Sequence, residues 1–411
     1  MLAKQTPKPH VPEPYSRRTV FGLAAGGVIA ALEGGCGLPD RGPAVPRGRE
    51  TAATVLGIPN ERFYPMAGTG PLEAEFEAAM QRQRRALGLT ADALLPEMQL
   101  LSLSGGGENG AFGAGLLCGW SEHQTRPGFD LVTGVSTGGL IAPFAYLGRD
   151  YDPQLRALYL ETMPSQVLSK RIFTAALFDD ALTDNDPLFR TVCRYVNEGL
   201  LPALAKAYGQ GRLLLIASTD LDAQQRVIWN VGAIAASGHP RALDTIRRLM
   251  IASAAIPGQF PPTMFDVTLD GKTYQEMHVD GGMFTQLFLY PSALTRHRRE
   301  HIKRGEPVLP ATAYIIRNGR LDPEWVTVQR RTMSITVRSI YTLIGASAYD
   351  DVLRVYTNTQ RDGVGFNLAY VGSDFSEALP QPFDPGYIHH LFDYGYQRGR
   401  RGYDWTKVPP L

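Results

Sequence analysis

Three short stretches of this chain carry residue types that could do chemistry together. Ser136 stands in Gly134-Val135-Ser136-Thr137-Gly138, a G-x-S-x-G pentapeptide. A serine there can attack a carbonyl if a sharp strand-to-helix turn exposes its hydroxyl, and Gly134 and Gly138 let the backbone fold back. Gly105-Gly106-Gly107-Glu108-Asn109-Gly110 offers a complementary part. Backbone N–H groups of a glycine turn at a helix start can receive one anion, either a dinucleotide phosphate or a tetrahedral acyl oxyanion. Asp280-Gly281-Gly282 adds a carboxylate before two glycines. It reads either as a plain turn or as a base held in a loop beside the serine.

The elements that must position these residues are legible around them. Residues 97–104 and 129–135 read as buried strands, and each runs directly into its glycine-flanked turn. Phe112, Leu116, Leu117 and Trp120 give the first turn a helical face, and 138–147 is a small-residue helix behind the serine. Together they form one βαβ unit. The dinucleotide reading needs an acidic residue closing the second strand, and that strand ends instead in Gly134-Val135-Ser136. The oxyanion reading is therefore preferred. Asp280 follows 274–279, a further strand, after an apolar helix at 249–262 ended by prolines.

A Ser–Asp/Glu–His order would be the rival constellation, with His389 or His390 arriving late enough and His278 two residues before Asp280. His389 and His390 sit in a surface helical pattern among aromatic residues, and His123 closes the first helix, where the dipole favours it.

The order of glycine turn, serine elbow and late Asp-Gly-Gly closely resembles the patatin-like phospholipase family. Ala252-Ser253-Ala254-Ala255-Ile256-Pro257, running to Phe260-Pro261-Pro262, resembles that family's segment before its aspartate. The resemblance covers about 97–294. It implies a serine–aspartate dyad without histidine, with Ser136 as nucleophile and Asp280 as general base. Gly105, Gly106, Gly107, Asn109 and Gly110 would form the oxyanion hole, and Gly134, Gly138, Gly281 and Gly282 would support the motifs. Two departures stand out. Asn109 occupies a position where the family commonly has a basic residue, and Met283-Phe284-Thr285-Gln286 stands where an asparagine is usual.

Composition bounds the rest. The chain has 411 residues, 44% hydrophobic and 20% charged, with a formal net charge of +1. That gives ample core and no global attraction to nucleic acid. Basic runs at 296–299 and 398–401 read as solvated surface. Cys36, Cys118 and Cys193 have no metal-ligand spacing, so no metal or organic cofactor is expected. Cys118 and Cys193 lie in apolar helical patterns, as buried inert thiols do.

Residues 1–36 read as an export signal. Arg17-Arg18 precede the short apolar stretch 20–32, in the manner of a twin-arginine leader. Leu32-Glu33-Gly34-Gly35-Cys36 then resembles a lipoprotein cleavage site, with Cys36 the candidate lipidated residue. The expected location is the periplasm or, through a lipid anchor, a membrane surface. Residues 37–57 read as a flexible linker, 58–96 as a helical lead-in, 97–294 as the catalytic core, and 295–411 as strands and helices completing the same domain. In this last part a helix is expected to begin at Asp322-Pro323, with Val337, Ile340, Tyr341 and Ile344 packed on the core.

The expected fold is a three-layer α/β/α domain around a mostly parallel sheet. The expected activity is acyl-ester hydrolysis on a lipid substrate, with a membrane surface as partner. A catalytically weak lipid- or acyl-binding lipoprotein on the same scaffold is the alternative.

Overall fold

The computed structural model describes residues 41–90, 93–162, 167, 169–170, 183–184, 186–291 and 294–410. Cys36 and the expected export signal lie outside the described residues. Among the described residues nine strands form one sheet. From one edge the order is β1 (Arg62–Phe63), β7 (Gln225–Asn230), β6 (Leu213–Asp220), β3 (Leu131–Val135), β2 (Met98–Leu103), β10 (Ala311–Arg317) and β11 (Gly365–Tyr370). The run from β6 to β11 is parallel throughout. β1 and β7 are antiparallel additions, as are β8 (Thr263–Leu269) and β9 (Lys272–Asp280).

The central strands are apolar on both faces because helices cover both. Leu213, Leu215 and Ala217 of β6 belong to one buried cluster, and Leu214 and Ile216 to another. β3 divides in the same way, with Leu131 and Val135 on one side and Val132 on the other. Alternation of side chains along a strand turns a continuous apolar run into two cores. Residues of helices Gly110–Glu122, Thr137–Leu147, Ala242–Ala254 and Pro385–Arg400 fill the first core. Helix Gly70–Ala86 and the C-terminal half of Thr332–Arg361 supply the second. The expected three-layer α/β/α architecture is the one observed.

Helices Gly110–Glu122 and Pro385–Arg400 lock together through two G-x-x-x-G pairs. A Cβ at Gly115 or Gly119 would strike the Phe392 or Tyr396 carbonyl, and one at Gly395 or Gly399 would strike that of Phe112 or Leu116. Backbone-on-backbone contact of this kind holds the helix behind the glycine turn in one position.

Several local expectations are corrected. Residues 41–57 are not a free linker: Arg41 pairs with Asp222, Thr54 pairs with Thr268, and Ala53, Val55 and Leu56 are buried. The edge strand β8 offers unpaired backbone groups, and this segment satisfies one pair of them. Within 150–208, β4 (Ser169–Lys170) and β5 (Thr183–Asp184) pair antiparallel. The helix before Pro257 starts earlier than expected, at Ala242, and β8 begins directly after Pro262. The helix expected at Asp322-Pro323 starts only at Thr332. Tyr341 on it is exposed, and fully buried packing begins at Ala348. The apolar spacing there is helical, but among the described residues no side chain of the helix is buried before Ala348.

Candidate active site

Strand β6 acts as the ruler that brings the serine and the aspartate together. Val135 pairs with Ala217, and β3 stops there; Asp280 then pairs with the next residue, Ser218. β9 thus takes over the same edge of β6 that β3 has just left. Ser136 and Asp280 meet end to end at the C-terminal edge of the parallel strands, where open α/β sheets place their sites.

Ser136 is held in a conformation that a side chain rarely adopts, with φ 55° and ψ −128°. Its N–H donates to Ser253 Oγ at 2.9 Å, and its carbonyl accepts from Gly139 and Leu140 N–H, which starts the helix. A Cβ at Gly138 would collide with the Leu103 carbonyl and one at Gly134 with the Gly138 carbonyl, so the first and fifth pentapeptide positions must stay glycine. Ser136 Oγ donates to Asp280 Oδ2 at 2.6 Å. The other carboxylate oxygen accepts from Gly282 N–H at 2.6 Å, and Asp280 N–H donates to the Ala255 carbonyl at 2.9 Å. Both residues are buried. Burial pushes the Asp280 carboxyl up to about 7, against the opposing pull of the Ser136 hydroxyl and Gly282 N–H.

The glycine turn wraps beside this pair. The N–H groups of Gly105, Gly106 and Gly107 have no protein acceptor among the described residues. Asn109 and Gly110, expected in the same set, are different. Asn109 N–H donates to the Gly106 carbonyl, and Gly110 N–H to those of Gly107 and Glu108. Gly107–Asn109 has already entered a helical turn, so its following N–H groups point back along the chain. The Asn109 side-chain oxygen accepts from Tyr387 OH at 2.7 Å. Thr137 N–H, the first of its helix, has no acceptor among the described residues and faces the anion side of a helix start.

The turn is pinned from behind by residues that motif reading passed over. Arg317 Nη1 donates to the Gly105 carbonyl at 2.7 Å and to Ser104 Oγ at 3.2 Å. Asn318 N–H donates to Ser104 Oγ and Asn318 Nδ2 to the Ser104 carbonyl, each at 2.8 Å. Gly106 sits so close to the Asn318 carbonyl that no Cβ fits. Gln286, within the stretch where an asparagine was expected, donates to the Gly282 carbonyl at 2.9 Å and sets its Oε1 against Gly105. The signal available for Arg317-Asn318 was their place at the end of a buried parallel strand, beside the glycine turn.

Ser136 opens onto a narrow cleft. Leu140, Leu158, Ile256, Phe260 and Ile388 make its walls apolar, and Glu108 contributes a carboxyl that burial pushes upward. No arginine, lysine or histidine lines it among the described residues.

The stretch of chain that holds this site is similar to known proteins. Residues 101–289 match the family model described as patatin-like phospholipase. This part of the chain is a patatin-like domain. A cUMP-AMP-activated phospholipase of Escherichia coli is 36% identical over 104 residues, which cover 20% of this chain and 31% of that protein. The chain thus matches about a third of the length of that curated relative. VipD from Legionella pneumophila is a distant structural neighbour, with 11% identity and a TM-score of 0.30 over 75% of this chain and 66% of that one.

Histidines of the patatin-like domain and its C-terminal extension bond elsewhere. His389 Nε2 lies 3.0 Å from the Leu160 carbonyl, His390 pairs with Glu377, and His123 meets Thr125. His278 is buried between Ser218 and Glu276. Asp220, Glu276 and His278 bring their ligand atoms within 4.8 Å of one another, an arrangement a metal could share. Arg62 already supplies the cation: its guanidinium grips both oxygens of Glu276 and donates to the Ala53 carbonyl at 2.8 Å. Burial alone would raise the Glu276 carboxyl, yet Arg62 and His278 hold it down to about 2. The cluster reads as a structural ion pair. Cys118 is buried, and desolvation pushes its thiol up to about 12; Cys193 is a free, half-buried thiol.

Proposed function

We propose that the chain is a serine acyl hydrolase acting on carboxylic esters of lipids through Ser136 and Asp280. The observation that carries this reading is the 2.6 Å hydrogen bond from Ser136 Oγ to a desolvated carboxylate. Ser136 Oγ attacks the ester carbonyl carbon as its proton passes to Asp280 Oδ2. The oxygen that becomes negative is received by the unpaired N–H groups of Gly106, Gly107 and Thr137. Collapse expels the alcohol, which takes the proton from Asp280. Water then repeats the sequence on the acyl-enzyme and releases the acid. The apolar walls of the cleft favour an acyl chain, and the absence of a cation along its described lining favours an uncharged ester at the reacting end.

Folded protein treated with a fluorophosphonate probe is expected to be labelled at Ser136, and Ser136→Ala to stay unlabelled. Folded wild type that resists the probe while a control serine hydrolase reacts would end the catalytic reading and leave an acyl-binding scaffold.

The base also sets a pH dependence. A carboxyl raised to about 7 is protonated and idle below that pH, and ionised and competent above it. With a p-nitrophenyl ester, kcat/KM is expected to rise about tenfold per pH unit below about 7 and to level off above it. A profile that is flat through this range would exclude Asp280 as the base.

A further inference from the structure

The first half of helix Thr332–Arg361 and the segment leading into it form an exposed surface with an unusual composition. Trp325 is 88% exposed and Leu343 71%, and Val326, Val328 and Ile335 are exposed beside them in sequence. From Val326 to Tyr349 the chain holds three arginines, Arg330, Arg331 and Arg338, and no carboxylate. Arg338 is the one charged residue between Thr332 and Tyr349. A solvated helix ordinarily carries charges of both signs on its outer face. This one instead presents isoleucine, leucine, threonine, serine and alanine. Among the described residues no helix is long and apolar enough to cross a membrane.

The surface is tied to the cleft. Tyr341 OH donates to Gln259 Oε1 at 3.2 Å, and Gln259 lies in the turn between Ile256 and Phe260, two residues of the cleft wall. Arg338 donates to the Glu324 carbonyl, which joins the helix to the Trp325 segment. Asp322 is paired with Arg320, and Glu324 is the one further carboxylate between it and the three arginines, so the segment from Glu324 to Tyr349 keeps a net positive charge.

We infer that this face, Trp325 with the arginine-bearing first half of the helix, docks the protein on an anionic lipid surface beside the mouth of the Ser136 cleft. Exposed tryptophan seats at the boundary between headgroups and acyl chains, and uncharged aliphatic residues enter it without a desolvation penalty. Arginines at the rim are drawn to lipid phosphates. They supply, outside the cleft, a positive charge that its described lining does not carry. The inference takes its choice of substrate from the ester-hydrolase reading of the cleft, and membrane binding can be measured without it.

The test uses the full chain with phosphatidylcholine vesicles prepared with and without phosphatidylglycerol. Wild type is expected to co-sediment with the phosphatidylglycerol vesicles. Trp325→Glu combined with Leu343→Glu, and separately Arg330→Gln with Arg331→Gln and Arg338→Gln, should each weaken that binding by about tenfold or more. Turnover of water-soluble p-nitrophenyl butyrate should stay at the wild-type level in both variants, while turnover of a vesicle-borne ester falls with binding. Unchanged melting temperatures establish that the variants are folded, and the two variant sets touch different residues. Wild type that ignores both vesicles, or variants that bind as wild type does, would overturn the inference, and so would self-association through this face in place of vesicle binding. Failure to hydrolyse p-nitrophenyl butyrate would count instead against the hydrolase reading, whatever the vesicles show.

Discussion

Asp280→Asn is expected to lower kcat for ester hydrolysis by about 10³ to 10⁴ and, at pH 8, to raise the melting temperature. The first effect follows from the geometry of the carboxylate. One oxygen is committed to Gly282 N–H at 2.6 Å, so an asparagine keeps its carbonyl there and turns its NH₂ toward Ser136. The serine hydroxyl then faces a donor, and its proton has no acceptor. The second effect follows from the same burial that makes the carboxylate a base. The Asp280 carboxyl is raised to about 7 by desolvation. A raised folded-state value means that the carboxyl's contribution to stability is complete below its unfolded value, near 4, and is lost as pH rises through about 7. Above that point wild type carries an ionised carboxylate in a desolvated site, at a cost on the order of 4 kcal/mol. Asparagine stays neutral, so the variant should gain on wild type between pH 5 and pH 8, as measured by thermal unfolding at the two values. A variant that is inactive yet gains no more on wild type at pH 8 than at pH 5 would show that Asp280 is not desolvated as the structure has it.

Much of this site was legible because each part sits in a short segment with its own local physics. The glycine turn, the elbow around Ser136 and Asp280 all follow apolar runs whose strand character needs no tertiary information. Their order along the chain carried the resemblance. What placed them in contact was not local. Asp280 reaches Ser136 because β3 ends at Val135 and β9 continues pairing along β6 at Ser218, and a register handed from one strand to another leaves no mark in composition. The same holds for Ser253, which supports the Ser136 N–H from a helix more than a hundred residues away. That the N–H groups of Asn109 and Gly110 bond within the turn was not legible, because the pattern shows that glycines cluster, and not where the turn becomes helical. The helix beginning at Thr332 was misread for a related reason. Its 3.6-residue apolar spacing is real, but periodicity reports a face and not what covers it.

Arg317→Met is expected to reduce kcat by about 10² to 10³ with little change in KM for a small ester, as loss of an oxyanion donor does. Arg317 touches no part of the cleft lining. It acts on the peptide between Gly105 and Gly106, whose carbonyl accepts from Arg317 Nη1 at 2.7 Å and from Ser104 Oγ at 2.6 Å. In a trans peptide the N–H points opposite to the carbonyl, so a donor behind Gly105 turns the Gly106 N–H away from Arg317 and toward the open side of the turn. Glycines on both sides would otherwise let that peptide rotate freely. Desolvation lowers the guanidinium to about 10, which still leaves it charged at neutral pH. Its charge therefore polarises the same peptide it orients. This offers a physical reason why Asn109 is tolerable where a basic residue was expected: the cation comes from the end of β10 instead of from the loop. Arg317→Lys keeps the charge and one donor, and it should recover part of the lost kcat. A purely structural role for Arg317 predicts a different pattern, in which methionine and lysine variants lose melting temperature in proportion to activity and fluorophosphonate labelling of Ser136 slows no more than folding explains. Steady-state kinetics on both variants, beside their melting curves, separate the two.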